Sequence, residues 1–355
     1  MEKKKSSPIR FAYIDFLKAF AIFTVVLGHT CHNYANNIDE IVEQYGIVPY
    51  HMPLFAVLSG LFFSTKTDAK TFLVKKFRQI ALPFLVWCAI ASVDMRGLIE
   101  VLLSNNALHT NFIFTWAEWF WLYIVDIGWW FLRALFLSFI AAYFCIRIFK
   151  STLKGVCVSV LILHLLTLSG VIPNRSISNF LFIYPFFCSG ILMNEYKDSI
   201  FRHANNVLLV SITTFLVCMF FWQGASDSFY GMNTSMVELE GAGVTGWMVL
   251  VKTIYRFTTG VSASIAFILL ARRYEKFLPK PQIVMSIGRN TLGIYILHEF
   301  AWQIYPPHSD YLFENKLLSF IVCLCVSIIL VVLCNYIVKF TSRIKYLALL
   351  LWGKR

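Results

Sequence analysis

Three ionisable side chains, Asp15, Lys18 and His29, lie within one apolar stretch near the start of the chain. Lys18 and His29 are eleven residues apart, about three helical turns, so both project from one face of a helix. Asp15 and Lys18 are three residues apart and can form an ion pair on that helix. Histidine titrates near neutral pH and can take a proton from a hydroxyl group, so His29 is the candidate general base. The alternative is a structural histidine.

Two other histidines lie in comparable positions. His51 opens the apolar run HMPLF, in which the proline suits the first turn of a helix. His298 precedes Glu299 near the end of the run GRNTLGIYILHE. Both histidines are predicted catalytic residues, although an interfacial, non-catalytic role is the alternative for His51.

Clustered cations form a second set of candidates. Lys75, Lys76 and Arg78 belong to the segment KTFLVKKFR, which is predicted to form an amphipathic helix at the inner surface. Together with Arg289 they can bind phosphate groups of a ligand through charge-assisted hydrogen bonds. Arg133 adds a buried cation to this predicted cofactor site. The alternative is that these residues form ordinary basic loops.

The elements that carry these residues are apolar helices. Hydrophobic residues make up 58% of the 355 residues, charged residues only 14%, and the mean hydropathy is +0.68. Because a soluble domain has about 25% charged residues, this composition predicts an all-α, polytopic integral membrane protein. We place ten transmembrane helices at residues 11–31, 49–65, 80–103, 128–148, 155–172, 178–194, 205–223, 247–271, 287–304 and 317–338.

The distribution of charge predicts the orientation. With the N-terminus in the cytoplasm, 24 basic residues fall on the inner side and only Arg175 and Lys316 on the outer side. Both termini are then cytoplasmic, with tails at residues 1–10 and 339–355 flanking a single membrane domain within 1–355. The Trp-rich residues 112–130 are predicted to be interfacial or re-entrant on the outer face. An eleventh span there would move all later basic clusters to the outer side of the membrane.

The charge distribution and the cysteine content argue against a nucleic-acid-binding protein, a disulfide-stabilised protein and a zinc-binding protein. The net charge of +12 lies in short clusters between apolar runs, which argues against a nucleic-acid partner. The nine cysteines are odd in number and show no C-x-x-C spacing, so neither a disulfide framework nor a zinc site is expected. No metal is predicted.

Several blocks resemble the acyltransferase-3 family of membrane O-acyltransferases, and they occur in the family's order along nearly the whole chain. They are YIDFLKAFAI at 13–22 with VLGH at 26–29, HMPLF at 51–55 with LSG at 58–60, KKFR at 75–78 followed by Pro83, WFL at 130–132 and GIYILH at 293–298. Lys18 stands where the family has an arginine, separated by ten intervening residues from the family's histidine, which is His29 here. Lys75 likewise replaces the first arginine of the family's Arg-x-x-Arg motif, which keeps the charge but loses bidentate contacts.

The resemblance implies an enzyme of the bacterial inner (plasma) membrane, similar to fucose-4-O-acetylases. It would transfer an acyl group, acetyl from acetyl-CoA by family default, to a sugar hydroxyl of a surface glycan or its lipid-linked precursor. In this interpretation His29 is the base and inner-face cations hold the CoA phosphates. A transporter or flippase of a sugar or lipid is the main alternative, although the chain lacks a sustained internal repeat. A third possible function is that of a membrane sensor without catalytic activity.

Overall fold

The computed structural model describes residues 11–93, 112–168, 175–227, 246–278, 281–304 and 314–354. Within these ranges the regular secondary structure is entirely helical, which confirms the all-α prediction. The nine cysteines are free thiols.

Seventeen helices are numbered here in chain order along the described residues. They are α1 (Ala12–Tyr34), α2 (Asn36–Asp39), α3 (His51–Leu61), α4 (Ala69–Lys76), α5 (Leu82–Ala91), α6 (Phe112–Leu122), α7 (Trp130–Phe149), α8 (Thr152–Leu168), α9 (Arg175–Glu195), α10 (Lys197–Arg202), α11 (Ala204–Phe220), α12 (Gly224–Asp227), α13 (Gly246–Arg273), α14 (Gln282–Arg289), α15 (Thr291–Ile304), α16 (Lys316–Thr341) and α17 (Lys345–Trp352). Three π-helical segments, Glu40–Tyr45, Phe77–Ala81 and Tyr123–Ile127, follow α2, α4 and α6 directly.

Five helical segments in the described residues are long and apolar enough to cross a bilayer. They are Ala12–Tyr34, Trp130–Phe149, Ser176–Glu195, Leu250–Arg273 and Lys316–Thr341, and each coincides with a predicted span. Shorter apolar helices occupy His51–Leu61, Thr152–Leu165 and Ala204–Phe220, and each overlaps a predicted span. The membrane character is thus supported, whereas the number of ten spans and the side of each terminus stay predictions.

The structure differs from the predicted spans in two places that matter for the site. The ninth predicted span, 287–304, is not one helix, because the chain breaks at Asn290 between α14 and α15. The amphipathic helix predicted at residues 70–78 is α4, but it continues through a π-helical segment into α5 without a loop. Part of the third predicted span, residues 94–103, lies outside the described residues.

The helices pack closely because glycine allows two backbones to meet. Gly60 of α3 and Gly190 of α9 face each other, so a Cβ on Gly60 would collide with the carbonyl of Phe187 and one on Gly190 with that of Val57. Around this crossing, aromatic rings fill the interior, and Phe187 packs edge-on against Phe63. Such close crossings stabilise helix pairs where lipid provides no hydrophobic driving force between them.

Helix α1 lies at the centre of the bundle. It packs against α3, α13, α14, α15 and α16, and its residues Ala21, Ile22 and Val26 are fully shielded from solvent. The ionisable groups of α1 are therefore carried into the interior, where they meet side chains from later helices.

Candidate active site

A cluster of three side chains joins α1 to α15. Nδ1 of His29 lies 3.1 Å from Nε2 of His298 and 3.3 Å from Oε1 of Glu299. The two imidazole rings are stacked, with centroids 5.2 Å apart. His298 is fully buried, whereas the side chains of His29 and Glu299 are 31% and 29% exposed. The cluster is thus open on the His29 side.

The hydrogen bonds assign the proton positions in the cluster. Nδ1 of His298 lies 3.1 Å from the carbonyl oxygen of Ile294, which can only accept a hydrogen bond, so this nitrogen carries the proton. In the neutral ring Nε2 of His298 is then an acceptor, and Nδ1 of His29 donates to it. This leaves Nε2 of His29 with a free electron pair. The carboxylate of Glu299 beside Nδ1 can stabilise the imidazolium that forms when His29 takes a proton.

His51, the third predicted catalytic histidine, is buried at the start of α3. Its Nδ1 donates to the carbonyl of Ile47 at 2.9 Å, so one ring nitrogen holds the backbone that leads into the helix. The next residue, Met52, lines a cavity that Lys18 also lines.

Lys18 lies at a cavity of about 180 Å³, here named the central cavity. Its Nζ is 5.5 Å from the ring centroid of Phe62. The cavity is mainly apolar, and it is lined by Lys18, Ile22, Met52, Phe55, Ser59, Phe131, Leu132, Leu135, Thr291, Leu292 and Tyr295. Lys18 and His29 are separated by roughly 16 Å along α1, at 1.5 Å per residue. Lys18 is therefore placed at a distance from the histidine cluster.

Asp15 lies where α1 crosses α14. Its backbone carbonyl touches Gly288, where a Cβ would collide with it. The next residue after that glycine is Arg289, so the crossing places the backbone of Arg289 beside α1.

A larger cavity of about 940 Å³ lies at the Ala12 end of α1, and we name it the basic cavity. It brings together three of the predicted phosphate-binding residues, Lys75, Arg78 and Arg289, with two further lysines. Its lining is Lys70, Thr71, Val74, Lys75, Arg78, Gln79, Arg289, Asn290, Gly353 and Lys354. Among the described residues, five cations and no carboxylate line this space, which suits a polyanionic ligand.

The helix break at Asn290 lies between the two cavities. Asn290 lines the basic cavity, and the next two residues, Thr291 and Leu292, line the central cavity. The Asn290 amide donates to Oδ1 of Asn335 at 2.7 Å and accepts from Nζ of Lys354 at 2.6 Å. Burial, followed by the charge of Arg289, lowers the pKa of Lys354. An anion in the basic cavity would stabilise the charged form of this lysine.

Two predicted cofactor-binding residues lie elsewhere. Nζ of Lys76 sits over the ring of Phe139, 3.3 Å from its centroid, and does not line the basic cavity. Burial, followed by the charge of Lys75, lowers the pKa of Lys76 to about 7. Arg133 is buried and donates from Nη1 to the carbonyls of Tyr123 and Ile124, at 3.1 and 2.6 Å. It thereby ties the segment after α6 to α7.

Two groups of side chains in the described residues place three potential metal ligands within 4.8 Å of one another. One is the His29, His298 and Glu299 cluster. The other, His32, Asp39 and Glu43, lies at the Tyr34 end of α1. The sequence predicted no metal. Neither group of ligands could be recognised from the sequence, because each group combines residues from separate elements.

A family model described as an acyltransferase domain matches residues 11–336. The chain belongs to the acyltransferase-3 family. It is therefore a membrane acyltransferase, as the resemblance of the sequence blocks predicted. No curated protein and no solved structure matches the chain.

In this acyltransferase-3 protein, sequence reasoning missed two residues that the structure brings to the site. Glu299 directly follows His298 in the sequence, and a carboxylate next to a candidate histidine is a usable signal for a role in the site. Lys354 falls in the predicted C-terminal tail, where its charge looked like part of a basic loop. Only the packing of α17 against α5 and the Phe77–Ala81 segment carries Lys354 to Asn290.

Proposed function

We propose that this acyltransferase moves an acetyl group from acetyl-CoA to a sugar hydroxyl of a bacterial surface glycan or its lipid-linked precursor. The observation that carries the proposal is the arrangement of three neighbouring features: a basic cavity, a mainly apolar central cavity, and a histidine with a free Nε2. The basic end would face the cytoplasm, where acetyl-CoA is made, and the Tyr34 end of α1 the outside of the inner membrane.

The basic cavity has the volume and charge for the donor's nucleotide end. Ligand cavities commonly measure about 300–1,000 Å³, and this one lies at the upper end of that range. Arg78 and Arg289 would bind phosphate oxygens in the bidentate manner of guanidinium groups. Lys75 and Lys354 would add charge, and binding would draw Lys354 away from Asn290.

The central cavity would hold the thioester arm of the donor. Its volume of about 180 Å³ and its apolar lining suit a narrow, uncharged chain but exclude a nucleotide. Lys18 lies along this route, so it would contact the arm and not the reacting carbonyl. Tyr295 lines the same cavity, and its ring centroid is 5.7 Å from that of His298, which brings the end of the cavity to the histidine cluster.

His29 would perform the acid–base chemistry. Its Nε2 takes the proton of the acceptor hydroxyl while the hydroxyl oxygen forms a bond to the thioester carbonyl carbon. The carbon–sulfur bond then breaks, and the proton on His29 passes to the departing CoA thiolate. Glu299 stabilises the imidazolium between these steps, and His298 holds the ring in the required tautomer. The same groups would serve a route through an acyl-enzyme.

Release of CoA tests the proposal directly. Purified protein in proteoliposomes should release free thiol from acetyl-CoA when an acceptor glycan is supplied, and His29→Ala should not. A transporter or flippase would release no CoA.

Mass spectrometry of surface glycan from a deletion strain and its parent would identify the acceptor, and the same acetylation in both strains would contradict the assignment.

A further inference from the structure

A second cluster of metal-ligand side chains lies beyond the proposed reaction site. His32 is in the last turn of α1, Asp39 ends α2, and Glu43 lies in the π-helical segment Glu40–Tyr45. Nδ1 of His32 is 3.4 Å from Oδ2 of Asp39 and 3.4 Å from Oε2 of Glu43. The three ligand atoms all lie within 4.8 Å of one another. The proposed acetyl transfer makes no use of them.

These separations are those of a tetrahedral metal site. Zinc binds imidazole nitrogen and carboxylate oxygen at about 2.0–2.2 Å, which places adjacent tetrahedral ligands about 3.3–3.6 Å apart. Both distances from His32 fall in this range, and both are long for an ordinary hydrogen bond. Imidazole combined with two carboxylates is a ligand set that suits Zn²⁺ better than Mg²⁺ or Ca²⁺, which prefer oxygen ligands alone.

An independent observation concerns the second oxygen of Asp39. Its Oδ1 is shielded from solvent and has no hydrogen-bond partner among the described residues. A buried carboxylate oxygen without a partner is costly, and a cation next to the carboxylate compensates for that cost. His32, in contrast, is 65% exposed, so a fourth metal position would be open to water.

We propose that His32, Asp39 and Glu43 bind one Zn²⁺ ion. The ion fastens the end of α1 to the segment that follows α2, one helical turn from His29. The proposed zinc site consists of these three side chains alone. The proposal holds whether or not acetyl-CoA is the acyl donor.

Zinc content of purified protein tests the proposal. The protein is stripped with EDTA, supplied with Zn²⁺, dialysed and measured by mass spectrometry of the metal. The wild type should retain about one equivalent of Zn²⁺, and His32→Ala and the milder Asp39→Asn should each retain none. His203→Ala is the matched control, because His203 is another exposed histidine and lies after α10; it should retain the full equivalent. Zn²⁺ should also raise the melting temperature of the wild type and leave that of His32→Ala unchanged.

Glu299→Gln separates this site from the histidine cluster and should keep its zinc. Loss of zinc in Glu299→Gln with retention in His32→Ala would place the ion at the other cluster and overturn the proposal. A wild type that binds no Zn²⁺, or that exchanges it for an equal concentration of Mg²⁺, would overturn it as well. If His32→Ala lowers acylation while the wild type holds no metal, the three side chains belong to the acceptor site instead.

Discussion

The contact between His29 and Glu299 allows the sharpest test of the reaction site. Glu299→Gln keeps the size of the side chain and an oxygen that can accept a hydrogen bond, but it removes the negative charge 3.3 Å from Nδ1 of His29. Charge-assisted hydrogen bonds contribute about 1.5–3 kcal/mol. Because both side chains are nearly one-third exposed, solvent screening reduces this to about 1–2 kcal/mol.

If Glu299 stabilises the imidazolium, that loss falls on the transition state and lowers kcat about 5- to 30-fold. The KM for acetyl-CoA should stay unchanged, since the basic cavity lies at the opposite end of α1. The assay follows thiol release at varied acetyl-CoA concentration in proteoliposomes. Glu195→Gln, which neutralises an exposed carboxylate at the end of α9, is the control and should match the wild type. An unchanged kcat in a well-folded Glu299→Gln protein, or an effect confined to KM, would refute the assignment.

Three other predictions concern the base, the donor and the topology. His29→Gln should lose about 10²–10⁴ in rate while extraction and monodispersity stay normal, because an amide cannot accept the proton; near-normal acylation would make the histidine structural. Arg78→Ala should raise the KM for acetyl-CoA about 5- to 30-fold, whereas Lys76→Met, outside the basic cavity, should leave it unchanged; equal effects would contradict the geometry. Reporter fusions after Lys154 should indicate the cytoplasm and fusions near Glu43 the outside, and reversed signals would reject the predicted orientation.

Two cations that the sequence grouped with the predicted phosphate ligands, Lys76 and Arg133, make other contacts in the structure. Lys75, Lys76 and Arg78 form one cluster in the sequence, yet Lys76 points to Phe139 while the other two face the basic cavity. On a helix, adjacent positions are turned by 100° from one another, so proximity in sequence does not mean a shared environment. Arg133 was a reasonable phosphate ligand by charge, but its guanidinium is engaged by the carbonyls of Tyr123 and Ile124.

The sequence by itself determined the helical membrane character, the five long spans that coincide with helices, and His29 as the residue to examine first. The helical membrane character depends on local properties. Both the hydrophobicity of about twenty consecutive residues and the helical period can be read from a single segment. The contact between His29 and His298 joins positions 269 residues apart, and that between Lys354 and Asn290 joins positions 64 apart. Such contacts depend on which helix faces pack together, as α1, α14 and α15 do here. Only the tertiary structure decided them, because helix packing is set by side-chain shape on both partners and no single segment encodes it.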